Sequence, residues 1–299
     1  MARTDFTEAN GYILEEQGSA VIQDLIANSA VERFARREVM ASRTKTVPRF
    51  VADAPQIVAE GAEIPEATAT LDEIVLTARK FAQIMHVSEE DLNDNLVDVL
   101  TASKREWASR FARKFDNACL GVSVAEDGTD TAPYRSLYRA MQQVPFNTNN
   151  LITTGGALSY DDLNNALGVV EDSSKYDAAN TVWMAHPKML KEIRGMVKGN
   201  SDLVLPDPLA GTPGSLFGFP LVVSYGAAVS TAASAAPAGN PLLIVGNRNM
   251  LINGVRGGVE SVVSRDAEFT KDGVLLKTRI RRGFQVADVD AFAIIEKTA

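Results

Sequence analysis

Two stretches of this sequence, Val47 to Val58 and Leu71 to Val87, read as extended arms. The second puts Ile74, Leu76 and Ala78 on one parity and Val75 and Thr77 on the other, with the β-branched enrichment of a strand. Between them, Gly61 and Pro65 break regular structure within the run Glu60 to Thr68. At ~3.3 Å per residue each arm reaches roughly 40 Å. A two-stranded ribbon is barely stable alone in water, so a long projecting hairpin has to lie against something else, a second subunit being one candidate.

The residues on either side sharpen this constraint. Met1 to Thr44 form a leader whose first residues have too little apolar content to pack on themselves, an arm that needs a neighbour. Val21, Leu25, Ile26, Val31 and Phe34 predict one helix near Gly18 to Arg37, ending in Arg33, Arg36 and Arg37, cations that complement a helix C-terminus. After the second arm, Ser88 with Asp91 reads as a capping box. A long helix is then expected from about Asn95 to Leu120, with Leu96, Leu100, Trp107, Phe111, Phe115 and Cys119 on one face and Gly121 ending it. It would span roughly 38 Å at ~1.5 Å per residue.

Beyond Gly121 the elements shorten. Val122 to Thr153 reads as turns and loops or a small hairpin, and Ser159 with Asp162 as a capping box opening a helix to about Asp172. Thr181 to Ala185 is a buried strand, and Pro187 opens a short helix through Met196. Leu203 to Ser215 is a loop, and Gly226 to Gly239 a mobile connection or loose helix. Further strands are expected at Phe219 to Ser224, Leu242 to Val245, Val259 to Arg265, Val274 to Arg282 and Ala291 to Glu296. Helices and strands mix without a regular βαβ alternation, so the fold class is α+β.

Composition narrows the function. A net charge of −8 argues against a surface that grips nucleic acid, which needs clustered Lys and Arg, but not against a container for it. One cysteine, Cys119, rules out an internal disulfide framework. No run approaches the ~20 apolar residues of a membrane helix, and the N-terminus has no apolar signal core, so folding in the cytoplasm is the simplest expectation.

A search for chemistry finds no catalytic, cofactor-binding or metal-ligating set. His86 lies in a strand without a second ligand at metal spacing, and His186 precedes Pro187 as a helix-entry residue. Cys119 follows the apolar helix face as a small buried hydrophobe. No P-loop, GxGxxG or GxSxG is present, and Gly254 to Gly258 reads as a tight turn. Glu60, Glu63 and Glu66 sit at the hairpin tip, as a solvated loop or as a contact with basic groups of another subunit. The basic spots are Arg113-Lys114 and the cluster Arg279, Arg281 and Arg282. Alternation places Arg279 and Arg281 on one side of their strand and Arg282 on the other. A solvated face and an intersubunit ion-pair site are both open readings for them.

Several segments together resemble the tailed-bacteriophage major capsid family, whose fold is named after phage Hong Kong 97. They are Val58 to Glu66, Leu71 to Leu76, Lys80 to Ala82 and Val87 to Leu92, which look like the family's extended loop running into its long spine helix. Phe115 to Gly121 resembles the end of that helix, and Trp183 to Pro187 with Leu190 a strand–helix step of the axial domain. Leu216 to Ser224 is similar to a strand entry of the same domain, Val245 to Asn247 takes the place of a Gly-Asp step, and Arg279 to Phe292 looks like the last peripheral-domain strands.

The resemblance implies an N-terminal arm (1–44), an extended loop hairpin (45–87) and a peripheral domain with the spine helix (88–152). An axial domain (153–246) follows, then its end and the return strands of the peripheral domain (247–299). It implies a shell protein that assembles with itself in hexamers and pentamers around double-stranded DNA, without sequence-specific contact. The expected partners are a separate scaffolding protein and a portal, with no membrane; the protein belongs to the virion and is assembled in the host cytoplasm. The segment from Thr46 to Arg79 contains no lysine, so the Lys–Asn isopeptide bond of some members is not expected. The loop is reached within fifty residues of Met1, which leaves no room for a long fused scaffolding segment. Two other readings are an encapsulin-type nanocompartment shell of the same fold, and a cytosolic α+β enzyme with an unrecognised site.

Overall fold

The computed structural model describes residues 29–51, 57, 58, 61, 70–90, 99–143, 150–196, 214–268 and 272–298. In chain order the elements are α1 (Ala30–Phe34), β1 (Arg36–Val39), β2 (Thr44–Val51), β3 (Thr70–Thr77), β4 (Arg79–Ser88), α2 (Val99–Leu120) and α3 (Leu137–Gln143). Then come β5 (Leu151–Thr154), α4 (Tyr160–Glu171), β6 (Thr181–Ala185), α5 (Pro187–Gly195), β7 (Ser215–Leu216), β8 (Phe219–Val223) and β9 (Leu242–Asn247). The chain ends with β10 (Leu251–Val255), β11 (Glu260–Glu268), β12 (Gly273–Val286) and β13 (Phe292–Lys297).

The strands form two sheets and a ribbon. One sheet has five strands in the order β1-β10-β12-β11, with β4 also paired to β12; the other has six in the order β5-β13-β9-β6-β8-β7. The ribbon is β2 with β3, antiparallel from Thr44↔Thr77 to Val51↔Thr70. The long helix α2 lies between them, and its stripe behaves as its spacing predicts: Trp107, Phe111, Phe115 and Cys119 are all buried. Phe111 stacks on Trp107 and on Phe115 with centroids 5.5 and 5.6 Å apart, and Phe81 of β4 meets Phe111 edge-on at 5.2 Å. Fully burying one such ring stabilises the fold by ~2–3 kcal/mol, which is what fastens the helix to the first sheet. A second core under α4 and α5 gathers Leu163, Leu167, Trp183, Met189 and Ile193 against the six-stranded sheet.

The capping box at Ser159 is present, with its hydroxyl accepting from Asp162 N–H and the Asp162 carboxylate accepting from Ser159 N–H. The strand at Thr181–Ala185 and the Pro187 helix stand where the pattern put them. The partner of the Ser88 box, Asp91, lies outside the described residues, as do Leu96 and most of the Leu203 to Ser215 loop.

Five expectations need correction. The helix expected to reach Arg37 ends at Phe34, and Arg36 and Arg37 instead form β1, paired in parallel with Ile252 and Asn253. The backbone bonds offered by the sheet edge outweigh the local helical pattern. Val122 to Thr153 holds the short helix α3 and the strand β5, whose few residues carry too little periodicity to show in sequence. Gly254 is not in a turn: it lies in β10 opposite Gly283, and the turn begins at Gly257, with φ of +77°. Gly226 to Gly239 is not helical. It is a strap held to the rest of the chain by bridges Val122↔Ser230 and Ala228↔Pro241.

The second extended arm is also two strands rather than one. It breaks at Ala78, whose N–H donates to the Arg43 carbonyl at 2.8 Å. Before the break it pairs with β2; after it, β4 pairs along its length with β12, from Arg79↔Arg282 to Ser88↔Gly273.

Candidate functional site

The clearest outward surface of the described residues is one face of the five-stranded sheet. Burial along β12 alternates: Val274, Leu276, Thr278, Ile280 and Arg282 point inward, while Leu275, Lys277, Arg279 and Arg281 alternate with them on the other face. Register extends that outer face across its neighbours. Ile84, Lys277 and Val262 form one cross-strand row, Ala82, Arg279 and Glu260 the next, and Lys80 stands beside Arg281. Ile84 and Val262 are 62% and 49% exposed, large for apolar side chains. Among the described side chains the face thus combines the exposed aliphatic groups of Ile84 and Val262 with Lys80, Lys277, Arg279 and Arg281, and Glu260 is paired to Arg279 there.

The three arginines named from sequence separate on this strand. Arg279 is on the outer face, and its guanidinium pairs with Glu260 across the strands at 2.5 Å. Arg281 is half-buried on the same face. Arg282 is turned inward: its Nε donates to Glu32 at 2.5 Å and its Nη1 to the Gly257 carbonyl at 3.0 Å. That side chain is engaged within its own chain by Glu32 and the Gly257 carbonyl. The alternation that separated it from its neighbours was right. The hairpin-tip residues Glu60, Glu63 and Glu66 lie outside the described residues.

The ribbon starts closer to the body than its sequence suggests. At its base Leu76 is fully buried and packs with Met40, Ala78 and Ile252, while Val47 and Ile74 flank them. Arg49 donates to the Ala287 carbonyl at 3.0 Å and pairs with Asp72. On the other parity Val75 is 51% exposed. The ribbon therefore leaves the first sheet from a packed root, with Val75 in solvent on its other face.

Sequence reasoning missed a buried polar junction at the end of α2. Asp116 accepts the Ser29 hydroxyl at 2.5 Å, the Ala30 N–H at 2.8 Å, the Val31 N–H at 3.2 Å and the Ser224 hydroxyl at 2.6 Å. Burial pushes its carboxyl above the usual range, opposed by those hydrogen bonds. Its neighbour Asn117 donates to the Gly226 and Ala228 carbonyls at 3.0 and 2.8 Å and accepts from Ser230 and Ser234. Together they join the N-terminal segment, the long helix and the strap. The only hint in sequence was an Asp-Asn pair where an apolar helix should be most buried.

The reactive residue types are accounted for structurally. Cys119 is fully buried, and desolvation pushes its thiol well up. His186 caps α5 through Nδ1, which accepts the Lys188 N–H at 3.2 Å; burial, then the Lys188 charge, brings its pKa down to about 4. His86 stands in β4, exposed on the outer face. Among the described residues no group of three or more His, Cys, Asp or Glu is placed to hold a metal, and no helix is long and apolar enough to cross a membrane.

Residues 10–297 match the model of the phage capsid family. A curated relative, the probable major capsid protein gp17 of Mycobacterium phage D29, is 26% identical over 121 residues, a stretch that spans 40% of this chain and 38% of the relative. Among solved structures, the chain is similar to that of Mycobacterium phage Bobi at 18% identity and a TM-score of 0.74, with all of both chains covered. It is also similar to that of Microbacterium phage Oxtober96, at 20% identity and a TM-score of 0.70 over 99% of this chain and 100% of the other. The capsid of a native GTA particle has a TM-score of 0.70 and 20% identity over the whole of both chains. These likenesses share the fold: an α+β capsid fold with a long helix between two sheets.

Proposed function

The chain belongs to the phage capsid family, and from that premise we propose that it is the major capsid protein of a tailed bacteriophage, building the icosahedral head shell around double-stranded DNA. It is a structural protein of the capsid and not an enzyme. The observation that carries the proposal is the match of the family model to residues 10–297. The five-stranded sheet with α2 serves as the peripheral domain and the six-stranded sheet with α4 and α5 as the axial domain. On this assignment β13 returns to the axial sheet, beside β5 and β9.

Function is then association with further copies of the chain, in hexamers and pentamers. Closed symmetry turns many modest contacts into a stable shell. The ribbon of one subunit lies over its neighbour. From Phe50 to Ala78 the chain has no lysine or arginine, while the outer sheet face carries Lys80, Lys277, Arg279 and Arg281. Glu60, Glu63 and Glu66 at the tip meet Arg279 and Arg281 of the next subunit. Exposed ion pairs contribute only ~0–1 kcal/mol each, so they set register while apolar burial supplies most of the stabilisation. A separate scaffolding protein and a portal complete the head, which is assembled in the host cytoplasm, and the DNA inside is held without sequence-specific contact. With no lysine from Thr46 to Arg79, boiled particles run as monomers on a denaturing gel.

Electron microscopy of the purified chain, alone and co-expressed with scaffolding protein, tests this. Regular hollow shells are expected; a monomer or dimer under both conditions overturns it. Co-purified cargo enzyme in place of DNA would point to a nanocompartment. The variant Glu60→Lys/Glu63→Lys should fold with wild-type circular dichroism yet fail to form regular particles, and normal particles from it would remove the register role of the tip.

A further inference from the structure

Three cations stand in one row across the outer face of the five-stranded sheet. Lys80 of β4 is directly opposite Arg281 of β12. On the other side of β12, the Arg256 N–H donates to the Arg281 carbonyl at 3.3 Å, which continues the register from Val255↔Arg282 and sets Arg256 opposite Arg281. Residues directly opposite one another share a face, and neighbouring strands lie ~4.8 Å apart, so three long side chains converge over one strand. Like charges in that arrangement repel. Arg256 and Arg281 are half-buried, so water screens them only in part. The two carboxylates that register brings nearest on this face are already taken, Glu260 by Arg279 and Glu38 by Arg36 and Lys45. Lys80, Arg256 and Arg281 have no ion pair of their own among the described residues.

The turn after Arg256 adds donors to the row. Gly257, at φ of +77°, and Gly258 have open space where a side chain would stand. The N–H groups of Gly257, Gly258 and Val259 donate to no acceptor among the described residues. The Gly257 carbonyl accepts from Arg282, so across the planar trans peptide the Gly258 N–H points away from that side chain. Successive free amides in such a turn make a concavity that takes anions. We propose that Lys80, Arg281, Arg256 and the Gly257 to Val259 turn form a site for an oxyanion of the phosphate type, free or carried on a nucleic acid backbone. Its several oxygens satisfy the forked donors of two guanidinium groups and the turn amides together. The site exists in the free subunit and does not depend on the shell reading. In the shell Arg281 also meets the acidic tip of a neighbour, so phosphate and tip compete for it and phosphate slows assembly; this regulation rests on the proposed function.

Calorimetric titration of the full-length free subunit with inorganic phosphate, at an ionic strength held constant with chloride, tests the site. Saturable binding is expected, weakened roughly tenfold or more in Arg256→Gln and in Arg281→Gln, and unchanged in Lys277→Gln, which removes a cation of the same face outside the row. Thermal unfolding guards against a variant that simply folds badly. In chloride both arginine variants should melt no lower than wild type, because repulsion is relieved, and phosphate should raise the melting temperature of wild type far more than theirs. Absence of saturable binding, equal loss in Lys277→Gln, or arginine variants that melt lower in both buffers overturns the site. A short DNA duplex titrated in competition separates the sources: displacement of phosphate assigns the site to backbone phosphates, and no displacement assigns it to free phosphate. In assembly followed by light scattering, phosphate should slow wild-type particle formation roughly tenfold and spare Arg256→Gln, which keeps Arg281 for the tip. Equal slowing of both, or of neither, overturns the competition. Absence of particles in every buffer would instead remove the shell reading and leave the oxyanion site standing.

Discussion

The carboxylate of Asp116 accepts the hydroxyl of Ser224 at 2.6 Å, joining two residues 108 positions apart in a site closed to water. The same carboxylate takes the hydroxyl of Ser29 and two backbone N–H groups behind it, so one side chain fixes the point from which the N-terminal segment departs. Replacing it strands four donors. Asp116→Ala should cost ~3 kcal/mol or more in urea unfolding of the free subunit, and Asp116→Asn less. A loss below ~1 kcal/mol for the alanine variant would show that the junction is not what holds the segment.

Arg282 and Glu32 tie that segment from its other side. The arginine is nearly buried and also serves the Gly257 carbonyl, so its removal leaves a carboxylate and a carbonyl without their partner. Arg282→Ala should destabilise by roughly 2–4 kcal/mol, and Arg282→Lys should not restore it, because an ammonium cannot span both acceptors. Thermal unfolding of both variants decides this.

Gly226 lets the strap lie directly on α2. A Cβ there would sit 2.4 Å from the backbone nitrogen of Asn117 and 2.7 Å from the Asp116 carbonyl carbon, neither of which can move without breaking the helix. Gly226→Ala is expected to destabilise by at least ~2 kcal/mol, while Gly156→Ala, at a position with open space, should stay within ~0.5 kcal/mol of wild type. Denaturant midpoints of the two variants make the comparison.

His186 makes stability depend on pH in a definite direction. It must be neutral to accept the Lys188 N–H, and its folded pKa of about 4 lies below its ordinary value of 6.5. The unfolded chain therefore binds the extra proton first, so the contribution is complete above pH 6.5 and is lost as pH falls through 4. His186→Asn keeps a capping acceptor that does not titrate, and should flatten this part of the curve. Asp116, raised rather than lowered, acts with the opposite sign above its ordinary value of 3.8, so the variant has to be compared with wild type pH by pH.

Much of the candidate surface was legible in the chain. The alternation of β12 placed Arg279 and Arg281 apart from Arg282, and the structure keeps that division. What each arginine meets was not legible, because Glu260 and Glu32 are brought to them by strand register and by a segment 250 residues away. Asp116 and Asn117 gave little sign of their role for the same reason: their partners lie 85 to 117 positions away along the chain.

By itself the sequence determined the features that depend on neighbours a few residues away. These are the ring-bearing stripe of α2, the Ser159 capping box, the alternation of the strands and the acidic stretch without lysine. Only the tertiary structure decided where the second arm breaks, that β4 joins its own sheet, that Arg36 and Arg37 form a strand, and that the Gly226 strap is bridged to other segments. Each of these is settled by backbone bonds and buried contacts between distant segments, whose free energy exceeds the fractions of a kcal/mol that separate one local conformation from another.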